Sequence, residues 1–336
     1  MKEAMFYEKI DGGKVKCHLC NHYCTIYPGK RGVCAVRENK DGVLYSLVYG
    51  KLIARHVDPI EKKPLFHFYP GSRSYSVSTV GCNFRCLHCQ NYEISQYPHE
   101  YPDIPGDQMS PEQVVDEAQH SGCVSISYTY TEPTIFFEFA YDCAVLAHEK
   151  GIKNVFVSNG YTSPEATRLI APYLDGNNID IKGDEDFYKR IVGGRFQPVL
   201  ETIKLMKELG VWVEVTTLII PNHNDSQGFL QGVADFIQSV DPAMPWHVTQ
   251  FYPTYKLLDR GRTPLATLRR ARDMGVKTGL KYVYEGNVPG EGGENTYCPS
   301  CKELLIERKG FTLTKIRMKN ALCPACGARI DGIGMP

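Results

Sequence analysis

SYSVSTVGCNFRCLHCQN, residues 74–91, decides how the rest of the chain is read. Its first half, SYSVSTV (74–80), reads as a strand. A glycine follows, then Cys82, Cys86 and Cys89 in a C-x3-C-x2-C spacing. Three thiols so close together at the carboxyl end of a strand stand where parallel α/β sheets collect their chemistry.

Outward from that stretch, further strands are predicted at VSISYT (124–129), NVFVSN (154–159), NIDIKG (178–183), VWVEVTTLII (211–220), WHVTQFY (246–252) and LKYVYEG (280–286). Helical patterns lie between them. PEQVVDEAQHSG starts at Pro111 behind Ser110, a good cap with proline at the first helical position. IFFEFAYDCAVLAHEKG (135–151) and QPVLETIKLMKELG (197–210) end at glycine stops, and SQGFLQGVADFIQSV (226–240) and PLATLRRARDMG (264–275) follow. Strand–helix alternation of this kind implies a parallel sheet, either barrel-like or doubly wound. Ser127, Asn159 and Lys182 mark polar carboxyl ends of strands.

The 336 residues suit one large domain or two to three smaller ones. Thirty-eight basic residues balance 38 acidic ones, which argues against a general nucleic-acid binder. No run of 18 apolar residues is present to span a membrane, and the polar start MKEAMFYEKIDGGKVK has no secretory core, so the cytosol is expected. Thirteen cysteines in a reducing compartment argue for metal rather than disulfides. Eleven are clustered; Cys123 and Cys143 stand alone in apolar context and read as packing residues.

The flanks carry the other two clusters. Cys298, Cys301, Cys323 and Cys326 form two C-x2-C knuckles around the strand-rich LLIERKGFTLTKIRM, the pattern of a zinc ribbon, though a mononuclear iron site uses the same ligands. Cys17, Cys20, Cys24 and Cys34 can hold a structural zinc or an auxiliary iron–sulfur cluster; the spacing fits neither pattern cleanly, and zinc is the reading preferred from sequence. Three parts are expected: a cysteine-rich module with hairpin-like strands over 1–72, the α/β part over 73–289, and the ribbon over 290–336.

Three thiolates hold three irons of a cubane and leave the fourth iron open for chemistry. The triplet resembles the signature of the radical S-adenosylmethionine superfamily. That resemblance implies a partial (β/α)6 TIM-type barrel, a [4Fe–4S] cluster on Cys82, Cys86 and Cys89, and S-adenosylmethionine chelated by the unique iron. Electron injection would then break a sulfonium C–S bond and release a carbon radical. Tyr130-Thr131-Glu132 stands where the superfamily has Gly-Gly-Glu, which places Thr131 and Glu132 beside the cofactor, Glu132 as acceptor for its ammonium group. Ser158-Asn159-Gly160 and Asp180-Ile181-Lys182 resemble segments of glycyl-radical activating enzymes, the branch of pyruvate formate-lyase activating enzyme. Lys182 would pair with the cofactor carboxylate, Ser158, Asn159 and Asp180 would line its polar side, and His88 matches the position whose ring contacts adenine. Val157 replaces an aspartate of that branch. Thr216, Thr217 and His247 lie on late strands before the loop face, where they could touch substrate or cofactor, but a histidine so placed is more often a satisfied core residue.

Over nearly its full length the chain resembles the radical enzyme of the AmmeMemoRadiSam system, through CHLCNHYCTIYPGKRGVCAVREN, DPIEKKPLFHFYPGS, GCNFRCLHCQN, YTYTEPT, DIKG, PWHVTQFYP and ENTYCPSC with CPACG. The resemblance implies a one-electron donor such as flavodoxin or ferredoxin and suggests Memo-type and AMMECR-type partner proteins. Three functions are consistent with these motifs: radical chemistry on a small molecule or peptide, an activase that installs a glycyl radical on a partner enzyme, and a non-catalytic zinc protein binding nucleic acid or protein. Ordered cofactor motifs and balanced charge favour the first two.

Overall fold

A computed structural model describes the whole chain, Met1–Pro336. Its centre is an eight-stranded sheet: β1 (Ala54–Pro59), β2 (Arg73–Ser78), β3 (Ser125–Tyr128), β4 (Lys153–Ser158), β5 (Gly176–Asp180), β6 (Trp212–Ile219), β7 (Trp246–Gln250) and β8 (Val283–Gly286). Spatial order follows chain order, with β1 antiparallel to β2 and every later pair parallel. Each parallel step is bridged by a helix: α1 (Pro111–His120), α2 (Phe137–Glu149), α3 (Pro164–Ile170), α4 (Gln197–Glu208), α5 (Gln227–Val240) and α6 (Leu265–Thr278). Local chemistry starts them. Ser110 accepts from Gln113 N–H at 3.3 Å while the Gln113 side chain accepts from Ser110 N–H at 2.8 Å, a reciprocal cap ahead of Pro111.

Two departures from the sequence reading concern boundaries. The sheet begins at Ala54, inside the stretch expected to belong to the amino-terminal module, because β1 pairs along all of β2 from Ala54↔Ser78 to Pro59↔Arg73. Helix α3 was not among the predicted helices, although Ser163 caps it by accepting from Ala166 N–H at 3.3 Å. It is only seven residues long, too short for a periodic signal.

Ahead of the sheet, strands at Tyr7–Ile10, Lys14–Cys17 and Thr25–Ile26 make one small antiparallel sheet, and Lys2–Glu3, Arg37–Lys40 and Val43–Ser46 make another. After it, Thr296–Tyr297, Leu304–Lys309 and Thr312–Ile316 make a third, with its own buried cluster around Cys298, Ile306 and Cys323. No helix is long and apolar enough to cross a membrane.

One buried carboxylate ties Phe66 and His67 to the sheet. Glu214 on β6 is fully buried and accepts from Phe66 N–H (3.0 Å), His67 N–H (2.8 Å), Trp212 Nε1 (3.0 Å) and His247 Nε2 (2.7 Å). Burial alone would raise this carboxyl, but the His247 bond and charge leave it below its ordinary value. His247 is therefore the satisfied core histidine that its strand position suggests. His67 continues the network, donating from Nδ1 to the Asp331 carbonyl (2.6 Å) and accepting at Nε2 from Tyr284 Oη (2.6 Å).

Burial lowers the His67 pKa to about 4. The unfolded chain binds a proton there near pH 6.5, so between about pH 6.5 and 4 the unfolded state holds more protons and stability falls as pH falls. Denaturant unfolding at pH 7 and pH 5 should show a loss of about 1–3 kcal/mol attributable to this site. His67→Gln should flatten that dependence; an unchanged pH slope in the variant would assign it elsewhere.

Candidate functional site

The cysteine loop leaves the carboxyl end of β2 and is anchored from several distant parts of the chain. Arg85 N–H donates to Val192 O (2.9 Å), Leu87 N–H to Ile191 O (3.0 Å), and Lys256 N–H to Leu87 O (3.0 Å). His22 Nε2 donates to Asn83 O at 2.7 Å and Gln96 Nε2 to Phe84 O at 3.1 Å. Gly81 opens the loop at φ +99°, where an added Cβ would lie 2.6 Å from Val36 Cγ1, and an added Cβ at Gly194 would lie 2.5 Å from the Phe84 ring. Neither position has room for a side chain.

Cys86 is buried and Cys82 and Cys89 are half-buried. Phe84 N–H points at Cys82 Sγ (3.4 Å) and Ser95 Oγ lies 3.3 Å from Cys89 Sγ. Burial pushes the Cys86 thiol up to about 12, with Lys182 opposing; burial, then Glu132 and Cys86, push Cys82 well up. Asn159, whose N–H donates to Glu132, turns its amide toward Cys82 Sγ at 3.9 Å, so Glu132 stands near Cys82, while Lys182 is the cation that acts on Cys86.

Glu132 caps the short 3-10 turn Pro133–Phe136. Its Oε1 accepts from Thr134 N–H (3.0 Å), Thr134 Oγ1 (2.6 Å) and Ser158 Oγ (2.9 Å), and Oε2 accepts from Asn159 N–H (2.7 Å). Burial raises its pKa against these bonds. With only one donor on it, Oε2 retains accepting capacity. Asn159 Nδ2 donates to Asn83 Oδ1 at 2.7 Å, which ties the end of β4 to the cysteine loop. Lys182 Nζ pairs with Asp180 at 2.6 Å; burial works against its charge, but Asp180 and Cys86 hold its pKa above the ordinary value. His88 is buried, pushed down to about 3 by burial and then by Lys182, and its Nδ1 has no partner. Asn83 Nδ2 is likewise unpartnered. Thr131, in contrast, spends its hydroxyl locally, on Thr79 O (3.0 Å) and Ser78 Oγ (2.9 Å).

Three features were not singled out from sequence. Asn91 Nδ2 donates to Tyr130 O at 2.6 Å and so joins the end of the cysteine loop to the Tyr130 turn. Tyr130 has φ +64°, the conformation for which a glycine is ordinarily used, and its hydroxyl donates to Asp58. Asp58 also accepts from Lys63 (2.7 Å) and Lys62 (2.9 Å), and the Lys63 ammonium sits 4.6 Å from the Tyr130 ring centroid. Burial lowers Lys63 to about 8 despite Asp58. The polar residues between and behind the three cysteines were the available signal.

A cavity of about 340 Å³ is lined among others by Phe66, Gln90, Tyr252, Glu285, Asn287 and Phe311, and none of the three cysteines lines it. Gln90 directly follows Cys89, and Phe311 comes from the carboxyl-terminal hairpin. The carboxyl-terminal cysteines converge: Cys298 and Cys326 sulfurs are 3.6 Å apart, as are those of Cys301 and Cys323, and all four lie within 4.8 Å of one another. Cys17, Cys20, Cys24 and Cys34 line a common cavity near Thr134 and Ile135. Cys123 and Cys143 are buried in the core.

Comparison with known proteins shows what the chain is similar to. The family model described as "Radical SAM superfamily" matches residues 76–229. "Uncharacterized protein MJ0808" of Methanocaldococcus jannaschii is 50% identical over 98% of this chain and 99% of its own. "Putative glycyl-radical enzyme activating enzyme MJ1227" of the same organism is 25% identical, covering 64% of this chain and 88% of that one. The crystal structure of Streptococcus suis SuiB bound to S-adenosylmethionine shares the fold, with a TM-score of 0.51 at 14% identity over 68% of this chain and 53% of that chain.

The Tyr130 hydroxyl bond has a measurable weight. Tyr130→Phe should lower unfolding stability by about 1–2 kcal/mol in urea titrations, because Asp58 loses one of three donors while the strained backbone stays. No change would show that the two lysines alone satisfy Asp58.

Proposed function

The chain belongs to the radical SAM superfamily, and from that premise we propose that it reductively cleaves S-adenosylmethionine to start radical chemistry on a small-molecule or peptide substrate. Superfamily membership implies a [4Fe–4S] cluster and S-adenosylmethionine, and makes the protein a radical SAM enzyme. The residues present fit these groups. Three thiols stand together at a strand's carboxyl end, and two buried polar atoms on the same loop, His88 Nδ1 and Asn83 Nδ2, have no protein partner.

In this reading Cys82, Cys86 and Cys89 hold the cluster, whose role when bound is to deliver one electron to the sulfonium. Everything else is positioning. Glu132 Oε2 accepts from the cofactor's ammonium; Lys182, steadied by Asp180, meets its carboxylate; His88, neutral, offers a ring to adenine. Ser158 and Asn159 hold the Glu132 carboxylate in place, and Thr131 shapes the turn that presents it. Opposite charges near Cys82 and Cys86 suit a zwitterionic amino-acid group better than either charge alone would. An external one-electron donor of the flavodoxin or ferredoxin type supplies the electron.

The observation that carries the substrate class is the cavity beside Gln90. Its volume is that of a small-ligand site, and its walls come from residue 66, late strands and the carboxyl-terminal hairpin together. A cavity of this size walled by flanking segments favours a small molecule or flexible peptide over a folded partner, the substrate an activase needs. The activase reading retains support from its glycyl-radical activating relative. At the finer level we read the fold as a partial (β/α)6 barrel over 73–289, entered through β1, with a cysteine module within 1–72 and a zinc ribbon over 290–336 holding one zinc on Cys298, Cys301, Cys323 and Cys326. The extended pattern from CHLCNHYC to CPACG supports placement in the AmmeMemoRadiSam system, with Memo-type and AMMECR-type proteins as partners.

Serine at Cys82, Cys86 or Cys89 should abolish cleavage of S-adenosylmethionine by reconstituted protein under a strong reductant. Full cleavage in all three variants would overturn the assignment. Lys182→Met should weaken S-adenosylmethionine binding ten- to a hundredfold, the worth of a charge-assisted contact, while leaving the cluster's visible absorbance intact. Unchanged affinity would remove Lys182 from the cofactor site. Cys301→Ser with Cys326→Ser should lose one zinc per chain without loss of iron.

A further inference from the structure

The two four-cysteine sets at opposite ends of the chain differ in the one dimension that distinguishes a single ion from a cluster. A metal–sulfur bond of about 2.3 Å in a tetrahedron sets the sulfurs about 3.8 Å apart. The carboxyl-terminal set meets this, with sulfur pairs at 3.6 Å and all four within 4.8 Å. The amino-terminal set does not. Cys17, Cys20, Cys24 and Cys34 line one cavity, yet no three of their sulfurs lie within 4.8 Å of one another. The catalytic triplet supplies an internal reference: its three sulfurs, which hold a cubane in this superfamily, also fail to fall within 4.8 Å of one another. By spacing, the amino-terminal set resembles the cluster loop and not the single-ion site.

A second, independent feature borders the same cavity. Arg37 lines it and is only 2% exposed. Its Nη1 pairs with Glu138 (2.8 Å) and its Nη2 donates to Met5 O (2.5 Å), but Nε–H has no partner. A buried guanidinium donor left unsatisfied beside four thiols costs free energy unless something accepts from it. The rest of the lining offers little: Leu19, Ile26, Val33 and Ile135 are apolar, and Thr134 is engaged with Glu132. A thiolate or an inorganic sulfide would accept that hydrogen bond, and the positive charge would offset part of the charge of a thiolate-ligated cluster.

We propose that Cys17, Cys20, Cys24 and Cys34 bind an auxiliary iron–sulfur cluster of the [4Fe–4S] type rather than a zinc ion, with Arg37 donating into its ligand shell. Four thiolates satisfy every iron, so this cluster has no open position and is distinct from the one that meets S-adenosylmethionine. It lies against the catalytic loop: an added Cβ at Gly81 would be 3.1 Å from Cys34 O, and His22, between Cys20 and Cys24, is bonded to Asn83 O. The inference concerns different residues from the catalytic assignment and stands or falls separately from it.

The test is iron, zinc and acid-labile sulfide content of the full-length protein after anaerobic reconstitution with iron and sulfide. A Cys82→Ala, Cys86→Ala, Cys89→Ala triple variant should keep about four irons and four sulfides per chain alongside one zinc. Adding Cys20→Ser and Cys24→Ser should remove the iron and leave the zinc. Two zincs and no iron in the triple variant, or iron without sulfide, would overturn the proposal. If the triple variant does not fold, the wild type decides: on reduction it should show two electron paramagnetic resonance signals, of which S-adenosylmethionine shifts one. A single signal that shifts completely, with about four irons per chain, would overturn it equally.

Discussion

At Gly81 two parts of the chain meet with no space for a methyl group. The backbone there turns through φ +99°, and the Val36 side chain and Cys34 carbonyl occupy the place a Cβ would take. This contact fixes where the cysteine loop leaves β2. Further anchors at Val192, Ile191, Lys256 and Gln96 come from segments a hundred residues or more apart in sequence for all but the last. The positions of Cys82, Cys86 and Cys89 are thus a product of tertiary packing. A loop held from so many sides keeps its three thiols in place, which lowers the ordering cost of any binding there.

The same packing sorts charge around the triplet. Glu132 cannot swing, because four donors from Thr134, Ser158 and Asn159 surround its carboxylate. Lys182 is held by Asp180, and His88, near Lys182, is kept neutral by burial. Each charge is paired or hydrogen-bonded within the protein, so burying it is tolerable. Each also keeps some unused bonding capacity, and that remainder is what a cofactor can engage.

Much of this was legible in the residues, for reasons that can be named. Strand–helix alternation survives in single sequences because each element must hide one face, and the triplet's spacing is local. What was not legible depends on contacts between distant segments. Ala54–Pro59 reads as part of a hairpin until β2 is seen to recruit it. Tyr130 looks like a lost glycine in the Gly-Gly-Glu position, yet the backbone keeps φ +64° there, with the tyrosine fastened to Asp58 and packed under Lys63. Glu214 gave no signal, since a lone glutamate on a strand acquires four donors only when residues 66–67 and His247 reach it.

Cysteine spacing illustrates the limit most clearly. In the carboxyl-terminal set, two C-x2-C knuckles flank a single hairpin, Leu304–Lys309 with Thr312–Ile316, so chain reversal alone brings the four sulfurs into one small tetrahedron. There, sequence spacing and spatial spacing carry the same information. In the amino-terminal set, Cys17 ends a strand, Cys20 bridges to Thr162, Cys24 returns a carbonyl to Cys17 N–H, and Cys34 lies beyond a turn against Gly81. Four ligands drawn from four different local environments are set apart by the contacts each one makes, and their number says nothing about how far apart they stand. A count of thiols therefore suggests a metal site by composition alone, whereas the distance across it, which only the assembled fold determines, is what separates a site sized for one ion from one that is not.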